Sequence, residues 1–501
     1  MKKIYFLAAI IAFGVFSCSE DEQISEPCTD QDDQVILSKS EIRSMIEQSL
    51  KETGDFSWND VDPYVLWSAA MHGDSLLTVG YSQVPYSEEL RKSEHPDRRN
   101  ILEILQSIES ESLQKASLDT RELLIYEPQK LNFMDVRITS LESVEALRTM
   151  EGVRYIEPNA FRYLAHDIMQ KSSSGCDKTT VPVNSNDYTV VSPGCQVSWT
   201  YDQHNIRQAW NVSTGEGVGV GLIDTGVSDE QSLLGDDFNQ GYSANRYVYK
   251  YGVYVDSWWP WSNDTDGHHD KCGHGTLMGA TISGPRNSRN MPVGVAYNCN
   301  LVAYRATSNV VVDGYHEKRG VARALIELAD RNDVKIISMS IGHIFSIGSI
   351  SDAVRYAYSK DKLIVAAGRT STTFTNWAGV IFPASMSETV AVTGVTDAST
   401  YEECDVCHKG DKIDFTIVMQ HNYDSDRRSV SLGYYDNSRT YVGGSSVATA
   451  TTAGIAALVW SNHPNWSRSQ VLQRLKESSD LYPNRDDDFG WGTIDAYAAV
   501  Q

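Results

Sequence analysis

Amide hydrolysis by a serine side chain needs a base to take the hydroxyl proton, a carboxylate to orient that base, and donors to meet the developing oxyanion. The chain offers one candidate for each role. Val220-Gly221-Leu222-Ile223-Asp224-Thr225-Gly226 is an apolar run that delivers a carboxylate straight into a glycine turn. Gly273-His274-Gly275-Thr276 sets an imidazole between two glycines, where a helical stretch over 277–282 begins. Gly443-Gly444-Ser445-Ser446-Val447-Ala448-Thr449 places two hydroxyls at the start of an apolar helix, among backbone N–H groups at the positive end of its dipole. Each word alone has a plainer use, as a turn Asp, as one structural histidine among 12, or as a helix cap. Together, in the order Asp, His, Ser, they supply all three roles.

The elements around these words are what must position them. Short apolar runs at 218–223, 301–304, 334–339, 363–367 and 390–392 are strand candidates, and helical periodicity intervenes, for example at 321–330. Strands alternating with helices predict an α/β domain with a mostly parallel sheet flanked by helices. The nearly all-apolar stretch 447–460 predicts a buried helix, and Ser467 with Gln470 predicts a capping box for the next one. Upstream, 136–138 and 153–157 read as strands around a helix capped by Ser140, carrying Val144, Leu147 and Met150 and ended by Gly152. Residues 50–120 carry no pattern that can be placed.

The motif words and their order resemble those of subtilisin-like serine peptidases, the S8 family. Ile-Asp-Thr-Gly and Gly-His-Gly-Thr match, and Gly-Ser-Ser-Val-Ala-Thr stands where the family usually has Gly-Thr-Ser-Met-Ala-Thr. The resemblance covers about residues 200–501 and includes Gly294-Val295-Ala296, Met339-Ser340-Ile341-Gly342, Phe382-Pro383-Ala384-Ser385 and Gly490-Trp491-Gly492. Residues 123–163, ending in Pro158-Asn159-Ala160-Phe161, resemble the end of a subtilisin propeptide. The resemblance implies Ser446 as nucleophile, His274 as general base, Asp224 as its orienting acid, Ser340, Ile341 and Gly342 as a substrate-pairing edge, and Ala366, Ala367 and Gly368 as a wall of the S1 pocket. Ser445 is the weaker nucleophile, because the family's serine directly precedes the Met or Val position. One departure bears on turnover. The family's Ala-Ala-Gly-Asn becomes Ala366-Ala367-Gly368-Arg369, so a longer, charged donor stands at the oxyanion-hole position. That substitution is the one support for an alternative reading, a catalytically impaired surface binding protein of the same fold.

The remaining features concern export. Lys2 and Lys3 precede an apolar stretch over 4–16 that is too short to span a bilayer as a helix. It ends in Val15-Phe16-Ser17-Cys18, which resembles a lipobox with Cys18 as the acylated residue, followed by an acidic run resembling the tethers of surface-exposed outer-membrane lipoproteins. The expected organisation is therefore a signal peptide (1–17), an acidic tether (18–40), a propeptide acting as chaperone and inhibitor (41–165), a processing linker (166–199) and a peptidase domain (200–501). Expected partners are protein or peptide substrates, the chain's own propeptide, and a membrane through Cys18. A net charge of −23 argues against nucleic acid. No cofactor is expected; calcium is left open with no ligands assigned. Beyond Cys18 and Cys28, six cysteines remain, and proximity in sequence suggests Cys176–Cys195, Cys272–Cys299 and Cys404–Cys407. Cys404-Asp405-Val406-Cys407-His408 also has the form of a c-type haem attachment or a partial zinc site, with a loop disulfide the better reading.

Overall fold

The N-terminal lobe is built on four short antiparallel strands, β1 (Leu76–Tyr81), β2 (Leu124–Tyr126), β3 (Phe133–Arg137) and β4 (Val153–Glu157), in the order β2-β3-β1-β4. The computed structural model describes residues 35–87, 95–115, 117–164, 175–369 and 379–501. Helices Lys39–Thr53, Pro63–Met71, Pro96–Ser112 and Leu141–Thr149 belong to the same lobe. The first is capped at Ser38 by a capping box with Glu41, so regular structure begins inside the expected tether. Ser140 caps the helix over Leu141–Thr149 as predicted. The buried Glu109 carboxylate takes the N–H groups of Thr139 and Ser140 and the hydroxyls of Thr139 and Ser143, a negative group at a helix start.

The segment expected as a linker does not stay open. Its described part carries a hairpin of β5 (Tyr188–Val191) and β6 (Cys195–Ser198), turned at Ser192-Pro193-Gly194. The nine-stranded sheet follows: β7 (Gly219–Asp224), β8 (Val248–Gly252), β9 (Asn300–Arg305), β10 (Val334–Met339), β11 (Leu363–Ala367), β12 (Val390–Thr396), β13 (Phe415–His421), β14 (Asp424–Leu432) and β15 (Arg439–Val442). Their order is β15-β14-β13-β12-β11-β10-β7-β9-β8. Strands β7 to β13 pair in parallel, and β14 and β15 add antiparallel edges. The α/β, mostly parallel architecture read from the sequence is the one observed. Its interior strands read as unbroken apolar runs because helices cover both faces. The helix Gly444–Asn462 is buried from Gly444 through Trp460 and packs against β10 to β13 and against the helix His274–Ser283.

The two lobes share one hydrophobic core, which runs from Ile42 and Leu66 through Tyr155 and Phe161 to Val321, Ile350 and Phe382. No described helix is long and apolar enough to cross a membrane.

Candidate active site

The sheet reverses its winding between β7 and β10, and the crevice at the carboxyl ends of such strands is where an α/β fold gathers functional groups. Asp224 is the last residue of β7, and Ser340 follows β10 directly. Asp224 is fully buried, and the Nδ1–H of His274 donates to its two oxygens at 2.8 and 3.0 Å. That bond fixes the imidazole tautomer and leaves Nε2 to act as base. Burial pulls the His274 pKa down, but the charge and hydrogen bond of Asp224, joined by the charge of Asp270, leave it above the ordinary histidine value.

Both glycines of Gly-His-Gly are required. Gly273 caps the helix in a left-handed conformation (φ 103°), and a Cβ there would meet the Asp177 carbonyl at 2.4 Å. A Cβ on Gly275 would strike the Gly226 carbonyl at 2.2 Å, so only glycine lets the helix start come down on the turn after Asp224.

Asp270, which the motif reading did not single out, ties these two segments together. It is fully buried; its Oδ1 accepts from Thr225 Oγ1 (2.9 Å), Cys272 N (2.9 Å) and Gly273 N (2.7 Å). Its Oδ2 accepts from the N–H and hydroxyl of Thr276 at 3.0 and 2.6 Å. Thr225 Oγ1 in turn accepts from Gly275 N at 2.9 Å, and Arg305 donates to the Thr225 carbonyl at 3.0 Å. A carboxylate three residues before a Gly-His-Gly word was the available signal.

Ser445 and Ser446 open the helix Gly444–Asn462 and are both buried. Ser445 Oγ is committed, donating to the Arg369 carbonyl at 2.6 Å, while the Ser446 carbonyl accepts from Ser340 Oγ at 2.9 Å. Among the described residues Ser446 Oγ makes no hydrogen bond to His274; such bonds commonly tighten only when substrate closes the site. Arg369 is buried, and its Nη1 donates to His408 Nδ1 at 3.1 Å. Burial lowers the Arg369 pKa against the opposing charge of Glu403.

The expected substrate edge is paired internally. Gly342 N–H donates to the Val310 carbonyl and Gly342 O accepts from Val312 N–H, both at 3.0 Å, with Val310, Val311 and Val312 buried. Beside it, the Asp313 carboxylate accepts the backbone N–H groups of Tyr163 (3.1 Å) and Leu164 (2.9 Å) from the N-terminal lobe. Ile341, Ala366, Ala367 and Gly368 sit at the same carboxyl end of the sheet, at or just beyond the ends of β10 and β11.

Two of the three expected disulfides are overturned. Cys176 pairs with Cys272, and Cys195 and Cys299 are buried free thiols. Distance along the chain misled here, because the fold lays the segment after Cys176 over the loop before His274. Cys404 and Cys407 do pair, which occupies the thiols that haem or zinc would need. Among the described residues no group of three or more His, Cys, Asp or Glu side chains is placed to hold a metal ion, so no calcium ligands can be assigned. Cys18 and Cys28 lie outside the described residues.

The model of the subtilase family, Peptidase_S8, matches residues 215–492. The minor extracellular protease Epr of Bacillus subtilis is 26% identical over 378 residues, 72% of this chain and 50% of Epr, so the chain spans half of that relative's length. Subtilisin DY of Bacillus licheniformis is 29% identical over 300 residues, 57% of this chain and 92% of that protein. Among solved structures, fervidolysin from Fervidobacterium pennivorans, described as a keratinolytic enzyme related to subtilisin, aligns with a TM-score of 0.58 at 17% identity, covering 85% of this chain and 61% of its own. At that identity the likeness is one of fold.

Proposed function

The chain belongs to the subtilase family of serine peptidases, and from that premise we propose that it is a secreted, lipid-anchored endopeptidase made as a precursor, with Ser446, His274 and Asp224 as its triad. The observation that carries the reading is the Asp224–His274 pair, buried at the switch point of the sheet, with an uncommitted serine hydroxyl at the start of the central helix.

In this mechanism Ser446 Oγ attacks the scissile carbonyl carbon while His274 Nε2 takes its proton. The tetrahedral oxyanion meets N–H groups at the start of the Gly444–Asn462 helix and the donor at position 369. His274 then passes the proton to the leaving amine, which departs and leaves an acyl-enzyme. Water attacks that ester by the same route in reverse, giving the new carboxylate and free Ser446. Asp224 holds Nδ1–H throughout and stabilises the imidazolium without becoming protonated. Substrate would add an extended strand at Ser340, Ile341 and Gly342, with Ala367 and Gly368 lining the neighbouring wall.

Residues 41–165 act as the propeptide in this reading. Support comes from the Asp313 contacts to Tyr163 and Leu164 and from the paired edge at Gly342, which together suit a latent precursor. Cleavage would fall between Leu164 and Cys176, because Cys176 is bound to the loop before His274. Export, anchoring through Cys18 and a surface-facing position follow from the lipobox and acidic run alone.

The test compares the lipid-free precursor with its Ser446→Ala variant. Propeptide loss is followed by mass and serine reactivity by a fluorophosphonate probe. The parent should mature and label and the variant should do neither. A folded parent that does neither, even after nicking by another protease, would transfer the case to the binding-protein reading.

A further inference from the structure

Two features stand apart from the reaction just described, the Cys404-Asp405-Val406-Cys407-His408 run and the arginine at 369, and the fold brings them together. Arg369 lies two residues beyond β11. Its carbonyl accepts Ser445 Oγ at 2.6 Å, which fixes its backbone next to the residue preceding Ser446. At the other end of the side chain, Nη1 donates to His408 Nδ1 at 3.1 Å. Arginine cannot accept, so His408 is neutral in this bond, with Nδ1 bare and the proton on Nε2.

His408 is itself held. Its backbone N–H donates to Thr393 Oγ1 on β12 at 3.2 Å. The residue before it is closed into a four-residue loop by the Cys404–Cys407 disulfide, in which Cys407 N–H also donates to the Cys404 carbonyl at 3.0 Å. Glu403, at the start of that loop, brings a carboxylate oxygen to 3.8 Å from His408 Nδ1.

An arginine side chain has many rotamers to lose, and a donor contributes to an acyl-transfer centre only when it is held in place beforehand. The bond to His408 holds the guanidinium at the far end of the side chain from its backbone anchor. We propose that His408 is a positioning residue, presented by the Cys404–Cys407 loop, that fixes the Arg369 guanidinium so that a charged donor serves the oxyanion of the Ser446 reaction. The inference rests on the protease reading above.

It also predicts a second acid-side titration. Protonated His408 loses its acceptor and sets one cation against another, with Arg369 facing it from the end of β11, Glu403 from its own loop, and the neighbouring Lys409 already engaged by Asp488 at 2.9 Å.

The experiment measures fluorophosphonate labelling rate and hydrolysis of quenched-fluorescent casein against pH for the mature protein. The variants are His408→Ala, His408→Gln, Arg369→Asn, the His408→Ala/Arg369→Asn double and Ser446→Ala. His408→Ala should lower both rates by about 10- to 100-fold, the range expected when a catalytic donor shifts by about 1 Å. His408→Gln keeps an acceptor and should restore most of the rate while losing the second titration. In the Arg369→Asn background His408→Ala should change nothing further. Parental rates in His408→Ala, or the same fold loss with and without Arg369, would overturn the inference. If His408→Ala fails to fold, an unchanged pH profile in His408→Gln does so instead. Should Ser446→Ala hydrolyse casein as well as the parent, the protease reading falls first. Should Ser446→Ala be inactive and His408→Ala parental, only the role of His408 falls.

Discussion

Arg154 on β4 and Asp352 in the helix Gly348–Ser359 are joined across the seam between the lobes by two parallel 2.7 Å hydrogen bonds. Asp352 is fully buried and also accepts from Tyr155 OH at 3.0 Å. Removing one partner of such a pair leaves an unmatched charge in the interior, so Arg154→Ala should destabilise the precursor by about 3 kcal/mol. Chemical denaturation of the Ser446→Ala precursor with and without Arg154→Ala measures this. Equal midpoints would show that the pair contributes nothing to the seam.

Glu157 gives the same seam a pH dependence. Its carboxylate is buried, accepts the Gly348 N–H at 2.9 Å, and is pushed up to about 7. Burial is the main cause; the Gly348 bond and Lys318 oppose it, and Asp352 and Asp135 reinforce it. The group holds its proton more tightly when docked than in the unfolded chain, so its contribution is complete below about pH 4.5 and is lost as pH rises through about 7. Over that window the loss is about 3 kcal/mol. Burial pushes Asp135 and Asp352 in the same direction. Precursor stability measured from pH 4 to 8 should fall, and Glu157→Gln should flatten the curve. A curve of unchanged slope in that variant would remove Glu157 from the account.

What the sequence disclosed follows from where the constraint lies. Strands β10 and β11 matched their predicted limits because strands buried on both faces read as unbroken apolar runs. The Asp224, His274 and Ser446 words were legible because each is a short contiguous run of residue types that combines a chemical group with glycines at the end of a strand or the start of a helix. The Cys176–Cys272 pair, the Arg369–His408 bond and the Gly342–Val310 pairing join segments far apart in the chain, and no local pattern encodes them. The β5–β6 hairpin was missed although Pro193-Gly194 between two β-rich runs was a usable turn signal. Leu76–Tyr81 went unplaced because all six of its residues are buried, which erases the alternation of a half-exposed strand, while Thr78 and Gly80 break the apolar run that would mark a fully buried one.

His274 should set the acid limb of activity above the ordinary histidine value, because Asp224 and Asp270 outweigh the effect of burial. The sign differs between stability and turnover. The imidazolium's stabilising contribution is present below about 6.5 and lost as pH rises through the folded value, whereas catalysis needs the neutral base and gains over the same rise. Asp270→Asn removes one of the two charges and disturbs the acceptor of five donors, so the limb should move to lower pH and the plateau should drop by about tenfold or more. A pH–rate profile of kcat/KM decides it. An unmoved limb would limit Asp270 to a structural role.

The Cys176–Cys272 disulfide closes a sequence separation of 96 residues and ends two residues before His274. A loop of that size gives about 4.7 kcal/mol in the chain-entropy account. The Cys176→Ser/Cys272→Ser protein should therefore unfold at lower temperature. It should also lose turnover, because the Asp177 carbonyl lies against Gly273 and would no longer be held there. Calorimetry and fluorophosphonate labelling separate the two effects. Reduced stability with full labelling would mean that the His274 loop keeps its shape without the bridge.

Gly342 offers the last test, because its N–H and carbonyl cannot serve the Val310–Val312 segment and an extended substrate at once. In the full chain both pairings are made within a buried stretch, so the amides of Gly342 and Val312 should exchange slowly with solvent. After maturation, binding of an extended peptide aldehyde should keep the Gly342 amide protected, now by the inhibitor. The Val312 amide should lose its acceptor and exchange faster. Opposite behaviour at two amides that start as partners distinguishes opening of the edge from general loosening, which would speed both. Equal protection of both amides in the inhibited mature enzyme would show that substrate binds without parting them, and the edge at Ser340, Ile341 and Gly342 would then not be where the peptide pairs.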